Sequence, residues 1–276
     1  MRPIKVGISA CLLGNEVRYD GGHKRDAFLA DTFGRFVDWV PVCPEVECGL
    51  GTPREAMRLV RMGNDVRMIT VKTGTDLTAR MEKFARRRLP SLVQEGLSGY
   101  IFKKDSPSCG LERVKVYDVG APTRSGRGLF ATALVERLPH LPVEEEGRLS
   151  DARLRENFVE RVFAYWRLRA LFDSTWTVKA LVRFHTAHKL MVMAHSPEAY
   201  RHLGRLTAEA AGRPRAEVAR RYEERFMTAL AVIATPRRHT DVLQHMLGYF
   251  KGRLGRESKA ELAAALCRFH LIVKWR

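Results

Sequence analysis

The sequence lacks any apolar run of about 18 residues, the length that a membrane-spanning helix requires. It also lacks a long apolar segment behind its first six residues, Met1-Arg2-Pro3-Ile4-Lys5-Val6, so no secretory signal peptide is indicated. Acidic residues are scarce, since 31 Asp and Glu stand against 48 Lys and Arg, a net charge of +17. These features argue against a membrane protein and predict a cytoplasmic one, and the excess of positive charge is typical of proteins that bind polyanions.

Cysteine is sparse as well, with five residues, and no pair has the C-x₂-C spacing typical of structural zinc sites. Disulfides are rare in the cytosol, so free thiols are expected. Four thiols lie near glycine or proline in the first half of the chain rather than inside apolar runs: Cys11, Cys43, Cys48 and Cys109. This placement favours metal, cluster or nucleophile chemistry. Cys267, in a helical stretch, is expected to be a packing residue.

Short apolar runs alternate with helical patterns in the first half of the chain. Strands are predicted over residues 4–10, 39–42, 66–71 and 99–103, and helices over 76–92 and 128–137. This alternation predicts an α/β domain with a mostly parallel sheet and flanking helices. Because ligands bind at the carboxyl ends of parallel strands, Cys11, Cys43 and Cys109, which follow three different strands, are expected to share one site.

A change of pattern follows residue 140. We predict a first domain over residues 1–140, a linker over the proline- and glutamate-containing residues 141–152, and an all-α domain over 153–276. Residues 1–150 carry 24 basic and 19 acidic groups, and residues 151–276 carry 24 and 12, so the net charges are +5 and +12. The helical half therefore holds most of the excess of positive charge.

Several segments of the first domain resemble the TudS-type desulfidase family. They are G-I-S-A-C-L-L-G at 7–14, V-R-Y-D-G-G at 17–22, C-P-E-V at 43–46, G-L-G-T-P-R at 49–54 and S-P-S-C-G at 106–110. That family removes sulfur from thiouracil and thiouridine compounds with a [4Fe-4S] cluster held by only three cysteines. The resemblance implies the same fold, cofactor and reaction class for this chain.

The helical half carries two segments, at 181–190 and 193–200, that look like the YbgA-type domain. A chain with this order of domains is similar to the RudS family, which acts on 4-thiouridine in tRNA and in which the helical domain is thought to hold the RNA. The YbgA-type domain runs on past the point where this chain ends, so we expect a truncated or divergent tail.

The resemblance implies that Cys11, Cys43 and Cys109 ligate the cluster, with Cys48 as the alternative to Cys43. Three ligands leave one iron open, and an open iron is a Lewis acid that a soft thiocarbonyl sulfur could coordinate. Water would then attack the ring carbon in a hydrolytic, non-redox cleavage of the C–S bond that releases sulfide. No external electron donor is required.

Acid–base roles follow from the same resemblance. It implies that Glu45 is the base and Ser106 an orienter or proton relay, and Ser108 could exchange roles with Ser106. The alternatives are a carboxylate that caps a helix and a hydroxyl that stabilises a turn.

The substrate-binding candidates flank these motifs. The loop with Arg18, Tyr19 and Asp20 could contact a base or ribose, although its glycine pair equally suits a simple hairpin turn. Arg54 could pair with a phosphate or with Glu45, and the sequence does not decide between them.

The RNA-binding candidates lie in the helical half: Arg183, His185, His188, Lys189, His195 and Arg201. The three histidines share one helix face, but no cysteine or acidic partner accompanies them, so helix packing or RNA contacts are favoured over a metal site. The leading hypothesis is therefore a [4Fe-4S] desulfidase of 4-thiouridine in tRNA. The alternatives are a desulfidase of free thiouracil or 4-thiouridine monophosphate, and a redox-sensing RNA-binding protein.

Overall fold

The computed structural model describes residues 3–250 and 252–274, and it divides into two compact units between Trp166 and Arg167. Met1 and Arg2 of the first predicted domain, and residues 251, 275 and 276 of the second, lie outside the described residues. In the described ranges, no helix has both the length and the apolar character needed to cross a bilayer.

The first unit is built on a parallel four-stranded sheet, sheet A, with the order β2-β1-β5-β8. Its strands are β1 (Lys5–Ser9), β2 (Asp38–Val42), β5 (Gly99–Phe102) and β8 (Val143–Glu145). The central strands β1 and β5 are almost entirely buried, which explains their continuous apolar sequences. Gly7 of β1 is required by this packing, because a Cβ there would lie 2.2 Å from the ring of Tyr100. The predicted strands over 4–10, 39–42 and 99–103 are confirmed.

A second sheet, sheet B, has the order β4-β3-β6-β7. Its strands are β3 (Met57–Met62), β4 (Asp65–Thr70), β6 (Val114–Tyr117) and β7 (Thr123–Gly126). The β3–β4 and β6–β7 pairs are antiparallel, whereas the central β3–β6 pair is parallel. Only β4 was predicted, so the domain contains a mixed sheet beside the parallel one.

Helices α2 (Thr78–Glu95) and α3 (Leu129–Arg137) confirm the two predicted in this unit, and α1 (Pro44–Glu47) is a single turn. Helix α4 (Ala152–Phe172) begins in the first unit, and its Phe158 and Val162 join the core with β1 and β5. The structure differs from the predicted linker over 141–152, since these residues include β8 and a 3-10 turn. The glutamates of this segment are held by hydrogen bonds and ion pairs, so they do not mark an exposed tether.

The second unit is helical, as predicted. It contains α5 (Val178–His195), α6 (Pro197–Ala208), α7 (Arg215–Ala231), α8 (Pro236–Gly248) and α9 (Arg256–Lys274). The hydroxyls of Thr177, Ser196 and Thr235 accept hydrogen bonds from backbone N–H groups in the first turns of α5, α6 and α8. The aromatic rings of Phe184, Tyr222 and Phe226 pack together between α5 and α7. The α/β-then-all-α class is therefore confirmed.

Candidate active site

The carboxyl edge of sheet A borders a cavity of about 430 Å³. Cys11, Cys43 and Cys109 all line it, and they follow β1, β2 and β5 respectively. Cys48 does not line the cavity. Its thiol lies 3.2 Å from the backbone oxygen of Glu45. The geometry therefore brings together the three cysteines that the strand ends indicated and sets the fourth apart.

Local backbone structure fixes each thiol. Cys11 lies in a 3-10 turn that ends at Gly14, whose φ of 98° favours glycine. Cys43 occupies the N-cap of α1, with Pro44 at the first helical position. Cys109 lies in the loop over residues 103–112, which packs so closely on α3 that a Cβ at Gly128 would lie 2.4 Å from the backbone of Ser108.

Cys11 and Cys109 are buried, and Cys43 is half-buried. Burial, reinforced by the nearby charge of Glu45, raises the pKa of Cys11 to about 11 and that of Cys43 to about 12. The same causes raise the pKa of Cys109 well above its usual value. Thiols in this environment become thiolates when a positively charged group binds them and displaces the protons.

Glu45 forms the centre of a hydrogen-bonded group beside the thiols. Its carboxylate is buried, and its Oε1 accepts from Ser108 Oγ at 2.5 Å and from Ser106 Oγ at 3.4 Å. Its Oε2 lies 3.5 Å from Cys43 Sγ. The two serine hydroxyls are 3.0 Å apart, and Ser108 also contacts Cys109 Sγ at 3.5 Å.

The two serines differ in exposure to the cavity. Ser106 lines it, whereas Ser108 is fully buried behind it. The resemblance favoured Ser106 over Ser108 as the partner of Glu45, but Ser108 makes the shorter hydrogen bond to that carboxylate. A chain from Ser106 through Ser108 to Glu45 can move a proton between the cavity and the buried carboxylate.

Arg54 adds a buried positive charge at the same place. Its Nη1 donates to the carbonyl oxygens of Val17 and Gly51, and its Nη2 lies 4.0 Å from Glu45 Oε2. Its side chain is only 8% exposed, and its Nε has no hydrogen-bond partner among the described residues. Glu45, one of the two partners that the sequence left open, therefore lies beside Arg54, and pairing with a substrate phosphate stays a prediction.

The loop with Arg18, Tyr19 and Asp20 is joined to this arginine, because Arg54 N donates to Tyr19 O at 2.9 Å. Arg18 and Tyr19 line the cavity, and the guanidinium of Arg18 lies 5.4 Å from the ring centre of Tyr19. Asp20 does not line the cavity but pairs with Arg18 at 3.4 Å and accepts from Gly22 N. Asp20 therefore shapes the turn and orients Arg18.

Two glutamates that sequence reasoning assigned to the linker anchor the loop that carries Cys109. Glu145 Oε1 accepts from the backbone N–H groups of Leu111 at 2.7 Å and Glu112 at 3.2 Å. Glu146 pairs with Lys103 Nζ at 2.5 Å and accepts from Lys104 N at 2.8 Å. The apolar residues that precede Glu144, Glu145 and Glu146 were the one signal that could have identified a strand here.

The three candidate histidines of the second unit make packing contacts. His185 Nδ1 lies 3.0 Å from Tyr222 Oη, and His188 Nδ1 lies 2.8 Å from Phe184 O. His195 Nδ1 lies 2.5 Å from Val232 O, and this residue is only 2% exposed, so its ring is not offered to an RNA at the surface. Burial lowers the pKa of both His185 and His188.

The remaining RNA-binding candidates lie nearer the surface. Arg183 and Arg201 are exposed, and Lys189 is half-buried with its Nζ 5.8 Å from the ring centre of Tyr249. Among the side chains that the structure describes, no group of three His, Cys, Asp or Glu residues is placed to hold a single metal ion.

Comparisons with known proteins agree with the division of the chain. The family described as "2-thiouracil desulfurase" matches residues 6–146, and the family "Protein of unknown function (DUF1722)" matches residues 189–271. The uncharacterized protein YbgA of Escherichia coli (strain K12) is 32% identical over 115 residues, which are 41% of this chain and 68% of YbgA. The uncharacterized protein YbbK of Bacillus subtilis (strain 168) is 34% identical over 111 residues, 37% of this chain and 71% of YbbK.

Among solved structures, the [4Fe-4S]-dependent thiouracil desulfidase TudS is similar at 33% identity with a TM-score of 0.43. The alignment covers 53% of this chain and 93% of the TudS chain. The desulfurase family covers more than half of the present sequence, from β1 to the end of β8. The chain therefore belongs to the 2-thiouracil desulfurase family.

Proposed function

We propose that this protein is a [4Fe-4S]-dependent, non-redox desulfidase that converts 4-thiouridine in tRNA to uridine and releases sulfide. The observation that carries the proposal is the convergence of Cys11, Cys43 and Cys109 on one cavity, beside the buried Glu45 and its serine partners. Family membership supports the desulfidase reaction, and the choice of substrate rests on the charge of the second unit.

The donor set fits an iron–sulfur cluster. Three thiols from three strand ends line one shared cavity. Such a set suits a cluster, because each cysteine ligates a different iron. Cys11, Cys43 and Cys109 would hold it, and Cys48, which lies outside the cavity, would not. When bound, a cluster with three protein ligands supplies an open Lewis-acid position for a thiocarbonyl sulfur.

The protein's own residues would handle the protons. Glu45 would take a proton from the attacking water, since its carboxylate is buried at the cavity wall and oriented by Ser108. Arg54 would keep this carboxylate in place from the Oε2 side. Ser106, which lines the cavity, would return a proton to the pyrimidine ring through its hydrogen bond with Ser108.

Positive charge supports an RNA substrate. The cavity wall includes Arg18, Lys24, Lys103 and Lys104, of which Lys103 is paired with Glu146. Residues 167–276 carry 21 basic and 9 acidic groups, so the second unit has an excess of positive charge far from the cysteines in the sequence. A free pyrimidine base would need neither feature, whereas a tRNA would use both.

The test is anaerobic reconstitution of the cluster, followed by addition of tRNA that contains 4-thiouridine. We expect loss of the near-ultraviolet band of 4-thiouridine together with release of sulfide. Free 4-thiouridine monophosphate and 2-thiouracil serve as parallel substrates. Turnover of these small molecules alone would move the substrate to the nucleotide pool, and no turnover with a cluster present would refute the desulfidase.

The cysteine assignment is tested in the same preparations by iron and sulfide content. Cys43→Ser should lose the cluster, because it removes a thiol from the cavity wall. Cys48→Ser is the matched control, five residues away at the other end of the same short helix, and it should retain iron and activity. The reverse pattern would show that Cys48 is the ligand.

A further inference from the structure

A second groove, of about 290 Å³, adjoins the cysteine cavity on the face of sheet B. The two share Met57, Asp105 and Pro107 as lining residues, so a ligand can extend from one into the other. The polar wall of this groove is made by Arg58, Lys115, Tyr117 and Arg124. None of these residues has a role in the proposed reaction.

The strand register aligns three of these cations across the sheet. Lys115 of β6 pairs directly with Arg124 of β7. Arg58 of β3 comes one position before Leu59, which pairs with Val116, so Arg58 lies level with Lys115 in this parallel pair. The three side chains are exposed, whereas the alternating residues of β3 and β6, such as Leu59 and Val116, are buried.

Like charges that face each other across strands destabilise a sheet. The row of Arg58, Lys115 and Arg124 is only partly compensated: Arg124 lies 3.2 Å from Asp105, and Arg58 lies 5.0 Å from the ring centre of Tyr117. Within the described ranges, neither Arg58 nor Lys115 has an ion-pair partner, and Asp105 is the one acidic residue lining the groove. An anionic ligand would remove this repulsion.

The position of the row indicates which anion would bind. The groove opens beside the loop that carries Ser106 and Cys109, so a nucleotide whose base enters the cavity would direct its backbone towards sheet B. Three cations in a row across adjacent strands match successive phosphates of a single strand better than one isolated phosphate. The guanidinium of Arg58, supported by the ring of Tyr117, also presents a flat surface on which a neighbouring base can stack.

We infer that the row of Arg58, Lys115 and Arg124 binds the phosphates of the RNA strand that flanks the thiolated nucleotide. This inference rests on the proposed function, and it assigns RNA contacts to the catalytic unit rather than only to the helical one. The contacts are to the backbone, so they contribute affinity without reading the base sequence.

The test compares the reconstituted wild type with the double variant Arg58→Gln/Lys115→Gln. For a thiolated RNA stem-loop we expect KM to rise about 10-fold with kcat unchanged, because two phosphate contacts are lost. The slope of log Kd against log salt concentration should fall by about 0.7 for each lost contact with a single strand. The KM for free 2-thiouracil should not change.

The matched control is Arg61→Gln/Lys83→Gln, which removes the same two charges from exposed positions outside the groove. Arg61 belongs to the same strand as Arg58, and the control should leave the KM for RNA near the wild-type value. An unchanged KM in the groove variant would overturn the inference. An equal rise in the KM for 4-thiouridine monophosphate in the groove variant would also overturn the inference, because the groove would then hold the substrate's own phosphate.

Failure of the proposed function is distinguishable from failure of this inference. Fluorescence anisotropy with a labelled RNA stem-loop reports binding by the same holoprotein whether or not sulfur is removed. Weaker binding by the groove variant without turnover in any variant would keep the groove and refute the desulfidase. Turnover of the thiolated RNA, with the same RNA affinity in the wild type and the groove variant, would keep the desulfidase and refute the groove as an RNA site.

Discussion

Replacement of Glu145 by alanine should loosen the loop that carries Cys109 without touching the cavity. One carboxylate oxygen of Glu145 accepts both Leu111 N and Glu112 N. Leu111 is buried, so its N–H would be left unsatisfied at a cost of about 1–3 kcal/mol. Glu112 is exposed, and water can replace its partner. We therefore expect local opening to be favoured by roughly 5- to 150-fold, which corresponds to the cost at Leu111 alone.

Hydrogen exchange of the amides over residues 106–112 measures this opening. Glu145→Gln keeps an oxygen acceptor in place and should recover much of the protection, although a neutral acceptor binds about half as strongly as a charged one. Glu136→Ala, at an exposed position of α3, is the control for loss of a surface carboxylate. Unchanged exchange in Glu145→Ala would refute the idea that this side chain anchors the loop.

Two further predictions concern the serine pair and the helical unit. Ser108→Ala removes the shortest hydrogen bond to Glu45, so kcat should fall by about 100-fold while the absorbance of the bound cluster is retained. Ser106→Ala should give a similar loss. An unchanged kcat in Ser108→Ala would exclude proton transfer through the two serines. Burial lowers the pKa of His185 and His188 from the usual 6.5, so the folded state favours the neutral rings. The contribution of these rings to the unfolding free energy should therefore be constant above about pH 6.5 and should fall as the pH drops below that value. Hydrogen exchange in α5 and α7 between about pH 7.5 and 5.5 measures this fall, which the variant with Gln at both positions should flatten.

Two of the four strands predicted from the sequence, β1 and β5, are buried on both faces. The apolar sequences of β1 and β5 can only be satisfied inside a sheet covered on two sides, so their pattern is unambiguous. Strands β3, β6 and β7 were missed because each carries exposed Arg or Lys residues, and because β7 has no buried residue at all. Strand β8 was missed because its two glutamates were interpreted as part of a linker, whereas tertiary contacts bury both of them.

The candidate site was predictable to the extent that it follows strand ends. Cys11, Cys43 and Cys109 could be grouped from the sequence because parallel strands end at one edge of a sheet. The sequence could not show that Cys43 lines the cavity and Cys48 does not, because the two residues lie at opposite ends of the single-turn helix α1. The anchoring role of Glu145 could not be predicted, because it depends on a contact between segments 34 residues apart in the sequence.

The packing of α4 sets the smallest fragment that can be expected to fold as the catalytic unit. The region matched by the desulfurase family ends at residue 146, yet Phe158 and Val162 fill the core against Val6, Ile8 and Ile101. A fragment cut at 146 would expose that surface to water and lose about 1.5–3 kcal/mol for each large side chain removed. The end of the family match and the end of the folded unit therefore differ in this protein. An expression fragment should extend at least to Trp166.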